Sequence, residues 1–353
     1  MLSSAIVIVS QSGLRKVSDG LRLMIRLSRT GLAGVTPAVG VLACLAAGSI
    51  DGARLPIALI VCISFHYFGV LSNDIADLDV DRLTPRRAGS PLVTGEVSIR
   101  FAATATLAAA ATISGVAFKY GAWSLILASV SLMGLYNVRG KRLRIPLVMD
   151  LVQGASWGLF YIYMVALVRV EHKIPNSALV VGLAVTLFFT IMNAAHGGVR
   201  DVVQDVQSGR VTTAILLGVK WCDGYVVWTQ RFRIAIWIIE ALLVGVVCIA
   251  ASRPWTGLVR AGIDGLGIVV TISLTYSLFR RNREVNELLM VGNAHMLSCL
   301  CLAVMTAASH IGAVRGLSMI TVPILFFAAI FRIRELRGTE AARIVRRAVL
   351  LRW

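Results

Sequence analysis

The chain has 353 residues, of which 57% are hydrophobic, and its mean hydropathy of +0.80 is far above that of a soluble domain. Its formal charge is +17, from 35 lysines and arginines against 18 acidic residues, a balance that is also typical of nucleic-acid-binding proteins. Here the charges lie between apolar runs of membrane-spanning length. Membrane topology therefore explains them, and nucleic acid is excluded as an expected partner.

The apolar runs predict an all-α polytopic membrane protein. Ten of them are long enough to cross a bilayer, at about residues 31–50, 55–74, 101–118, 121–138, 145–168, 176–198, 232–251, 258–279, 287–309 and 315–332. The third and fourth runs are short and nearly fused, which predicts a tight helical hairpin. The six cysteines have no zinc-site spacing, and we interpret them as small core residues.

Basic segments flank the apolar runs at both ends of the chain. Residues 1–30 are predicted to be an interfacial segment, in which arginine and lysine alternate with apolar residues. Residues 31–310 form the predicted transmembrane domain. Residues 311–353 add a further helix and a basic amphipathic tail that suits anionic lipid. Membrane lipid is therefore an expected partner.

The distribution of charge predicts an orientation. With the N-terminus inside, 28 of the 35 lysines and arginines fall in inner segments. Both acidic motifs described below then lie on the inner side, together with Lys141 and Arg142. We therefore expect an integral protein of a bacterial cell membrane, with its active site and its C-terminus on the cytoplasmic side.

The first acidic motif follows the second apolar run, where four aspartates fall within eight positions: Asp74, Asp77, Asp79 and Asp81. If this stretch is helical, Asp74, Asp77 and Asp81 share one face and Asp79 points elsewhere. Three carboxylates on one face repel each other unless a cation neutralises them, and hard oxygen ligands in that number suit Mg²⁺. The alternative interpretation is a solvated acidic loop between two helices.

A second acidic pair, Asp201 and Asp205, follows the sixth apolar run at i, i+4 spacing. Two acidic clusters at the ends of membrane segments predict a single site in which two bridged metal ions grip a diphosphate. The polar segment 206–231 is too long for a tight turn, which predicts a lid over that site.

These motifs resemble those of the UbiA-type intramembrane prenyltransferase family over roughly residues 20–310. The first family motif matches Asn73, Asp74, Asp77 and Asp81, and then Pro91, Leu92 and Gly95. The second matches Asp201, Asp205, Gly209, Arg210, Thr212, Leu217 and Gly218. A third element, a tyrosine followed closely by Lys-Arg, is similar to Tyr136, Lys141 and Arg142. One departure is that the usual Arg-Pro-Leu reads Ser90-Pro91-Leu92, after Arg86 and Arg87.

The resemblance implies a bundle of nine to ten transmembrane helices around a central cavity, with a cap on the cytoplasmic side. It also implies a reaction that moves an isoprenyl group from an isoprenyl diphosphate to an aromatic or other lipophilic acceptor, with Mg²⁺ as cofactor. The implied residues are Asp74, Asp77, Asp81, Asp201 and Asp205 for the metals, with Asn73 assisting through its amide oxygen, Arg200 for the diphosphate, and Tyr136, Lys141, Arg142 and His66 for catalysis.

His66 stands about two turns before Asn73, where the branch of the family that prenylates 4-hydroxybenzoate carries an arginine for the acceptor carboxylate. Asp74 lies eight residues after His66, a separation that brings a helix back to nearly the same side, so His66 is expected to face the cavity. A neutral imidazole there would orient or deprotonate a phenolic or enolic acceptor. The Gly-Arg-x-Thr form of the second motif is closer to the quinone and lipid branches.

Asp150 has two interpretations, as a partner for Arg142 or Arg144, or as an acceptor-binding residue or base. His196 is expected only to pack, and His295 has no assigned role. An allylic cation needs a dry cavity lined by aromatic rings. Candidates for that lining, each also explained as core packing, are Phe65, Tyr67, Phe68, Trp157, Phe160, Tyr161, Phe188 and Phe189.

Two other functions stay open. A terpene cyclase of the same fold would let the allylic cation attack its own double bonds and would need no acceptor. A transporter, or another membrane protein without catalytic activity, is the third possibility. Paired aspartate motifs and a Lys-Arg loop on one side of the membrane argue against transport.

Overall fold

The computed structural model describes residues 23–29, 35–47, 49–84, 87–140, 142–171, 174–223, 225–251, 258–280 and 283–308. Most of this part of the chain is helical. Helix α1 covers residues 23–27. The other α-helices are α2 (Val35–Ala46), α3 (Leu55–Ala76), α4 (Leu78–Leu83), α5 (Ile99–Tyr120), α6 (Trp123–Arg139), α7 (Pro146–Val168), α8 (Asn176–Ile191), α9 (Gly198–Arg200), α10 (Val202–Gln207), α11 (Thr213–Leu216), α12 (Gln230–Ala251), α13 (Leu258–Phe279) and α14 (Val285–Ala308). A 3-10 turn (Gly52–Arg54) precedes α3, and a π-helix (Met192–Gly197) joins α8 to α9.

Within the described residues, six helical segments are long and apolar enough to cross a membrane: α3 with its preceding turn, α5, α7, the run from α8 to α9, α12 and α13. Helices α2 and α14 contain shorter apolar stretches, Thr36–Ala46 and Met290–Thr306. The predicted class, a mostly helical membrane protein, is confirmed. The count of nine to ten crossings stays a prediction, and both the tenth run (315–332) and the basic tail lie outside the described residues.

Helices α5 and α6 form the tight hairpin that the sequence predicts. Gly121 and Ala122 separate them, with φ angles of 88° and 57°. Glycine adopts positive φ without the steric cost of a Cβ, which allows so short a connection at position 121. Both helices pack against α3, so the hairpin lies beside the helix that carries the first acidic motif.

Helices α7 and α8 approach each other very closely. A Cβ added at Gly158 of α7 would meet the Thr186 side chain and would lie 2.6 Å from the Gly182 carbonyl oxygen of α8. Small residues let two membrane helices come this near, and the resulting contacts supply the attraction that the hydrophobic effect does not provide inside lipid. This pair forms the middle of the bundle.

A small antiparallel sheet departs from the predicted all-α fold. Strand β1 (Lys220–Cys222) pairs with β2 (Tyr225–Val227), and β2 pairs with β3 (Arg283–Glu284). Trp221 in β1, and Tyr225, Val226 and Val227 in β2, favour pleated structure. The first two strands belong to the segment expected to act as a lid. Helix α10 of the same connection contacts both β1 and α4, so this region adjoins the first acidic motif.

Helix α1 docks on the same end of the bundle. Leu27 is buried in a small apolar cluster that also contains Leu71, Leu78, Leu92 and Val97. Arg26 forms an ion pair with Glu96 at 2.7 Å. The part of the predicted interfacial segment that the structure describes therefore packs against the end of α3 and the loop that follows it.

Candidate active site

The first acidic motif straddles a break between two helices. Helix α3 ends at Ala76, Asp77 leaves the helical conformation (φ −99°, ψ 2°), and α4 resumes at Leu78, whose buried side chain anchors it. The residue spacing was interpreted as one continuous helix through this motif, and the structure interrupts that helix at Asp77. Asp79 still points outward, as expected, because its side chain is 95% exposed.

Two arginines hold the carboxylates of this motif. Arg87 donates from Nη2 to Asp74 at 2.7 Å and from Nε to Asp81 at 2.9 Å. Arg29, which follows helix α1, also donates to Asp74 and lies 3.8 Å from Asp81. Asp74 is only 4% exposed in its side chain, so these pairs are shielded from water and from salt. Asp74 and Asp81 therefore share two cationic partners.

The second motif has the same local structure as the first. Asp201 leaves the helical conformation (φ −100°, ψ 3°) between α9 and α10, as Asp77 does between α3 and α4. In each motif the amide four residues later, that of Asp205 or Asp81, donates to the carbonyl of the break residue at 2.8 Å. Arg200 binds the Asp201 carboxylate with two hydrogen bonds, of 3.0 and 3.1 Å.

Arg210 joins the two motifs. It follows the second motif in sequence, yet its guanidinium forms an ion pair with Asp77 of the first. Gly209 makes this possible, since its φ of +67° turns the chain sharply and the Arg210 amide then donates to the Asp205 carbonyl at 2.8 Å. The predicted convergence of the two acidic motifs is therefore present in the described residues.

The remainder of the Gly-Arg-x-Thr stretch supports this turn. The Thr212 side chain accepts from the Ile215 amide and so caps α11. Thr213 donates to the buried Asp150 carboxylate at 2.5 Å. This contact connects the second motif to α7. Neither interpretation of Asp150 from the sequence included Thr213 as its partner.

The third element lies beside both motifs. Tyr136, in the last turn of α6, is close enough to Asp77, Asp150, Asp201 and Asp205 for their charges to act on its hydroxyl. Arg142 Nη2 lies 3.5 Å from the Ala76 carbonyl oxygen, which also lies 3.5 Å from Arg210. Lys141 is outside the described residues, so its predicted role stays a prediction.

His66 is buried, and both of its ring nitrogens have partners. Nε2 lies 2.8 Å from the Ser28 carbonyl oxygen, and Nδ1 lies 3.1 Å from the Thr36 hydroxyl. The ring therefore links α3 to the segment that follows α1 and to α2. Its predicted action on an acceptor stays a prediction, and it requires that one of these two contacts be released first.

The residue types of the two motifs fit Mg²⁺, although arginines hold the carboxylates of the first motif in this structure. Among the described residues, no three Asp, Glu, His or Cys side chains are grouped so that they could hold a metal ion. Arg87 nevertheless binds Asp74 and Asp81 together, so a cation at the position of its guanidinium would meet oxygens from both residues. Mg²⁺ takes carboxylate oxygens together with substrate phosphate oxygens. Binding it requires Arg29 and Arg87 to turn away.

Aromatic rings lie behind the acidic end of α3. Phe65 stacks on Phe160 with ring centroids 4.1 Å apart, and Trp157 stacks on Phe189 at 4.2 Å. Phe65 and Trp157 also meet edge to face at 5.3 Å, which joins the two pairs into one cluster. These four residues belong to the predicted lining set, and they pack as one aromatic cluster between α3, α7 and α8.

A family model described as the UbiA prenyltransferase family matches residues 34–286. The chain belongs to this family, as its two aspartate motifs predicted. A search of curated proteins finds no match.

Solved structures of UbiA homologues share the fold. A homologue from Aeropyrum pernix K1, in its apo form, is 20% identical, with 80% of this chain and 97% of that chain covered and a TM-score of 0.58. A homologue from Archaeoglobus fulgidus bound to DMAPP and Mg²⁺ is 19% identical, with 84% and 99% covered and a TM-score of 0.58. A structure described as digeranylgeranylglyceryl phosphate synthase is 14% identical, with 82% and 99% covered and a TM-score of 0.58.

Proposed function

We propose that this protein is a Mg²⁺-dependent intramembrane prenyltransferase. It moves an isoprenyl group from an isoprenyl diphosphate to an aromatic or other lipophilic acceptor and releases diphosphate. The observation that carries this proposal is the ion pair between Arg210 and Asp77, because it brings two acidic motifs that lie more than 120 residues apart in sequence to one site. The aspartates of both motifs can then act on one diphosphate.

The known relatives support this assignment. The Archaeoglobus fulgidus homologue was solved with DMAPP and Mg²⁺, and also with GPP and Mg²⁺. Another similar structure is named as a synthase of a prenylated glyceryl phosphate. These names give allylic diphosphates as ligands of one relative and a prenylated glyceryl phosphate as the product of another. We extend the donor class to this chain and keep the acceptor class broad.

The chemistry begins with the diphosphate leaving group. The C1–O bond of the donor breaks, its electron pair goes to the diphosphate oxygen, and an allylic cation remains. Arg87, Arg142 and Arg200 are positioned near the carboxylates and would donate charge-assisted hydrogen bonds to the diphosphate oxygens. Mg²⁺ held by Asp74, Asp77 and Asp81, and by Asp201 and Asp205, would neutralise the negative charge that develops on that group.

The aromatic cluster would shield the cation from water. Ring faces carry partial negative charge and attract a cation, and they exclude the water that would otherwise capture it. Phe65 and Trp157 connect the two stacked pairs of this cluster, so they are the first candidates to line the prenyl chain. The acceptor then attacks C1, and a new bond forms as the acceptor loses a proton.

The active site is proposed to face the cytoplasm. Both motifs lie at the same end of the bundle, because α3 and the α8–α9 run end there and α10 contacts α4. Lysine and arginine are concentrated in the loops assigned to that end, which is the pattern of cytoplasmic segments.

The test uses purified full-length protein in lipid nanodiscs, with MgCl₂ and geranyl diphosphate, assayed alone and with 4-hydroxybenzoate, a dihydroxynaphthoate or a prenylglyceryl phosphate. We expect a prenylated product only when Mg²⁺ and a suitable acceptor are both present, and slower Mg²⁺-dependent release of diphosphate when the acceptor is left out. A cyclic terpene formed without any acceptor would overturn the transferase assignment in favour of the cyclase. No release of diphosphate from donors of any chain length would overturn both.

Paired variants test the site itself. We expect Asp77→Asn or Asp201→Asn to lower turnover about 100-fold or more, as is typical when a group that stabilises developing charge is lost. Asp79→Asn is the matched control, because Asp79 lies in the same motif with an exposed side chain. A loss equal to that of Asp77→Asn in the control would contradict the proposed site.

A further inference from the structure

Two side-chain amides from neighbouring helices meet inside the bundle. Asn193, in the π-helix, donates from Nδ2 to Oε1 of Gln153 in α7. Both side chains are partly buried, and neither forms another hydrogen bond with the part of the chain that the structure describes. Polar groups inside a membrane bundle are costly, and they usually mark a functional site.

This amide pair keeps hydrogen-bonding capacity in reserve. A primary amide has a carbonyl oxygen that accepts and an NH₂ group that donates. One hydrogen bond between two such groups leaves the carbonyl oxygen of Asn193 and the NH₂ group of Gln153 for a ligand. If both amides were turned over, the bond would run the other way, and one carbonyl and one NH₂ group would still remain. The pair therefore offers an acceptor and a donor side by side, and it carries no charge.

The accessible part of Gln153 faces the interior of the bundle. Asp150, Gln153 and Trp157 lie on one face of α7, at i, i+3 and i+7. Val148 and Leu151, which are 52% and 47% exposed, lie on the opposite face, where apolar side chains point out of the bundle. Gln153 and Trp157 are nevertheless only partly buried. Their accessible surface thus belongs to the inner side of α7.

On one side, the amide pair adjoins the aromatic cluster. Trp157 follows Gln153 by four residues on α7, and Phe189 precedes Asn193 by four residues on the helical run from α8 into the π-helix. Trp157 and Phe189 stack on each other at 4.2 Å. The two helices therefore meet twice in succession, first through stacked rings and then, about one turn nearer the acidic motifs, through amides.

On the other side, the amide pair adjoins the acidic site. Asp150 precedes Gln153 by three residues, about 5 Å along the helix axis, and accepts from the Thr213 hydroxyl of the second motif's Gly-Arg-x-Thr stretch. A donor with its diphosphate at the aspartates and its prenyl chain among the aromatic rings would have C1 between these two regions. The amide pair lies at that level.

The π-helix holds Asn193 in place. This conformation is rare and is found mostly at functional sites. His196 of the same π-helix has Nε2 3.1 Å from Nδ1 of His295 in α14. Gly292 of α14 leaves room for the His196 ring, because a Cβ there would lie 3.2 Å from His196 Nδ1. These contacts anchor the π-helix to α14 and so fix the turn that carries Asn193.

We propose that Gln153 and Asn193 bind the polar group of the acceptor, and that this group is a neutral hydroxyl of a phenol, an enol or an alcohol. The inference rests on the proposed function and narrows its acceptor class. The Asn193 carbonyl accepts from the acceptor O–H, and the Gln153 NH₂ group donates to the same oxygen. The two contacts hold the nucleophilic atom of the acceptor toward C1. Because the amides are uncharged, they recognise the hydroxyl and supply no counter-ion for a carboxylate.

The first experiment separates acceptor binding from donor activation. It uses full-length protein in nanodiscs with geranyl diphosphate, MgCl₂ and the acceptor that gives product with wild-type protein. We expect Asn193→Ala and Gln153→Ala each to raise the KM for the acceptor about 10-fold, because a hydrogen-bonding group of the acceptor then loses its partner. The KM for the donor and the acceptor-free release of diphosphate should change less than about twofold. The exchange variant Gln153→Asn/Asn193→Gln keeps both amides and should recover part of the loss.

Ser156→Ala is the matched control. Ser156 also lies on α7 and also forms a polar contact between helices, since its hydroxyl donates to the Ser129 carbonyl of α6 at 2.8 Å. Its substitution should leave the KM for the acceptor unchanged. An unchanged acceptor KM in both amide variants, or equal losses of transfer and acceptor-free release, would overturn the inference. Absence of transfer by wild-type protein with every acceptor would instead contradict the proposed function.

A second experiment tests the binding site without any transfer. 4-Hydroxybenzophenone is a phenol that forms cross-links under near-ultraviolet light, and 4-methoxybenzophenone is the same probe without the O–H group. We expect the hydroxyl probe to label residues around Gln153 and Asn193, as located by mass spectrometry. Labelling should fall about 10-fold with the methoxy probe or in Asn193→Ala, because a site that binds a hydroxyl rejects an analogue that lacks it. Equal labelling by the two probes, or labelling only elsewhere, would overturn the inference.

Discussion

At the scale of single residues, Arg87 has a position that motif spacing does not reveal. It bridges Asp74 and Asp81, whereas Arg82 of the neighbouring helix pairs with the exposed Asp79 at 3.7 Å. We expect Arg87→Ala to lower Mg²⁺-dependent turnover of geranyl diphosphate about 10- to 100-fold, because shielded charge-assisted contacts are strong. Arg82→Ala should change turnover less than about twofold, as exposed ion pairs contribute little. Similar losses in the two variants would show that Arg87 has no special role.

The pair between Arg210 and Asp77 also permits a double-mutant cycle. We expect Arg210→Gln and Asp77→Asn to lower kcat/KM separately, and the double variant to be little worse than the poorer single variant. A coupling free energy of about 1–3 kcal/mol is typical of residues in one ion-pair network. Strictly additive losses would mean that the two residues act independently and that the motifs do not work as one site.

A site residue could be predicted from the sequence only where its spacing to the other site residues follows a regular helical pattern. The five aspartates that we propose to hold metal could be selected from the sequence because their spacing is regular and because charge beside a membrane segment is unusual. Arg29 lies 45 residues from Asp74, and His196 lies 99 residues from His295. No helical periodicity connects such pairs, so only the fold brings them together. The partners of the two His66 ring nitrogens could not be predicted for the same reason, since Ser28 and Thr36 lie on other elements.

At the scale of elements, apolar length predicted the long helices well, because the bilayer imposes that length on any crossing segment. The breaks at Asp77 and Asp201 were not predicted. They arise where the chain leaves the apolar region and carboxylates, arginines and backbone carbonyls compete for hydrogen bonds. The strands at 220–227 were missed as well, because three-residue strands are too short to show an alternating pattern.

The close contact between α7 and α8 gives a prediction about stability. We expect Gly158→Leu to lower the melting temperature of the purified protein and to cost about 1–3 kcal/mol, because the added side chain must push the helices apart. Gly115→Leu on α5 is the matched control, as a Cβ there meets nothing within 4 Å. Thermal unfolding followed by a thiol-reactive dye would measure both variants. If the control were destabilised equally, general intolerance of leucine would explain the result instead.

At the scale of the whole molecule, charge predicts where the C-terminus lies. The tail after residue 332 is strongly basic, and each basic residue near an anionic bilayer surface contributes up to about 1 kcal/mol of attraction. We expect the C-terminus in the cytoplasm, on the same side as the acidic motifs. Alkaline phosphatase and green fluorescent protein fused to the C-terminus would report opposite sides. Activity of the phosphatase alone would contradict the prediction and would mean an odd number of crossings.

The arginines at the first motif have a thermodynamic consequence for the order in which ligands arrive. Within the described residues, three guanidinium groups balance three carboxylates there: Arg29, Arg87 and Arg210 with Asp74, Asp77 and Asp81. A divalent cation that binds the aspartates alone must displace the arginines, which are then left without an anion. A diphosphate that binds the arginines alone must separate them from the aspartates, which are then left without a cation. When both arrive together, every charge regains a partner. We therefore expect Mg²⁺ and diphosphate to bind cooperatively, each raising the affinity of the other by the same factor. An enzyme of this kind would bind free Mg²⁺ weakly and would bind it tightly only together with the isoprenyl diphosphate donor.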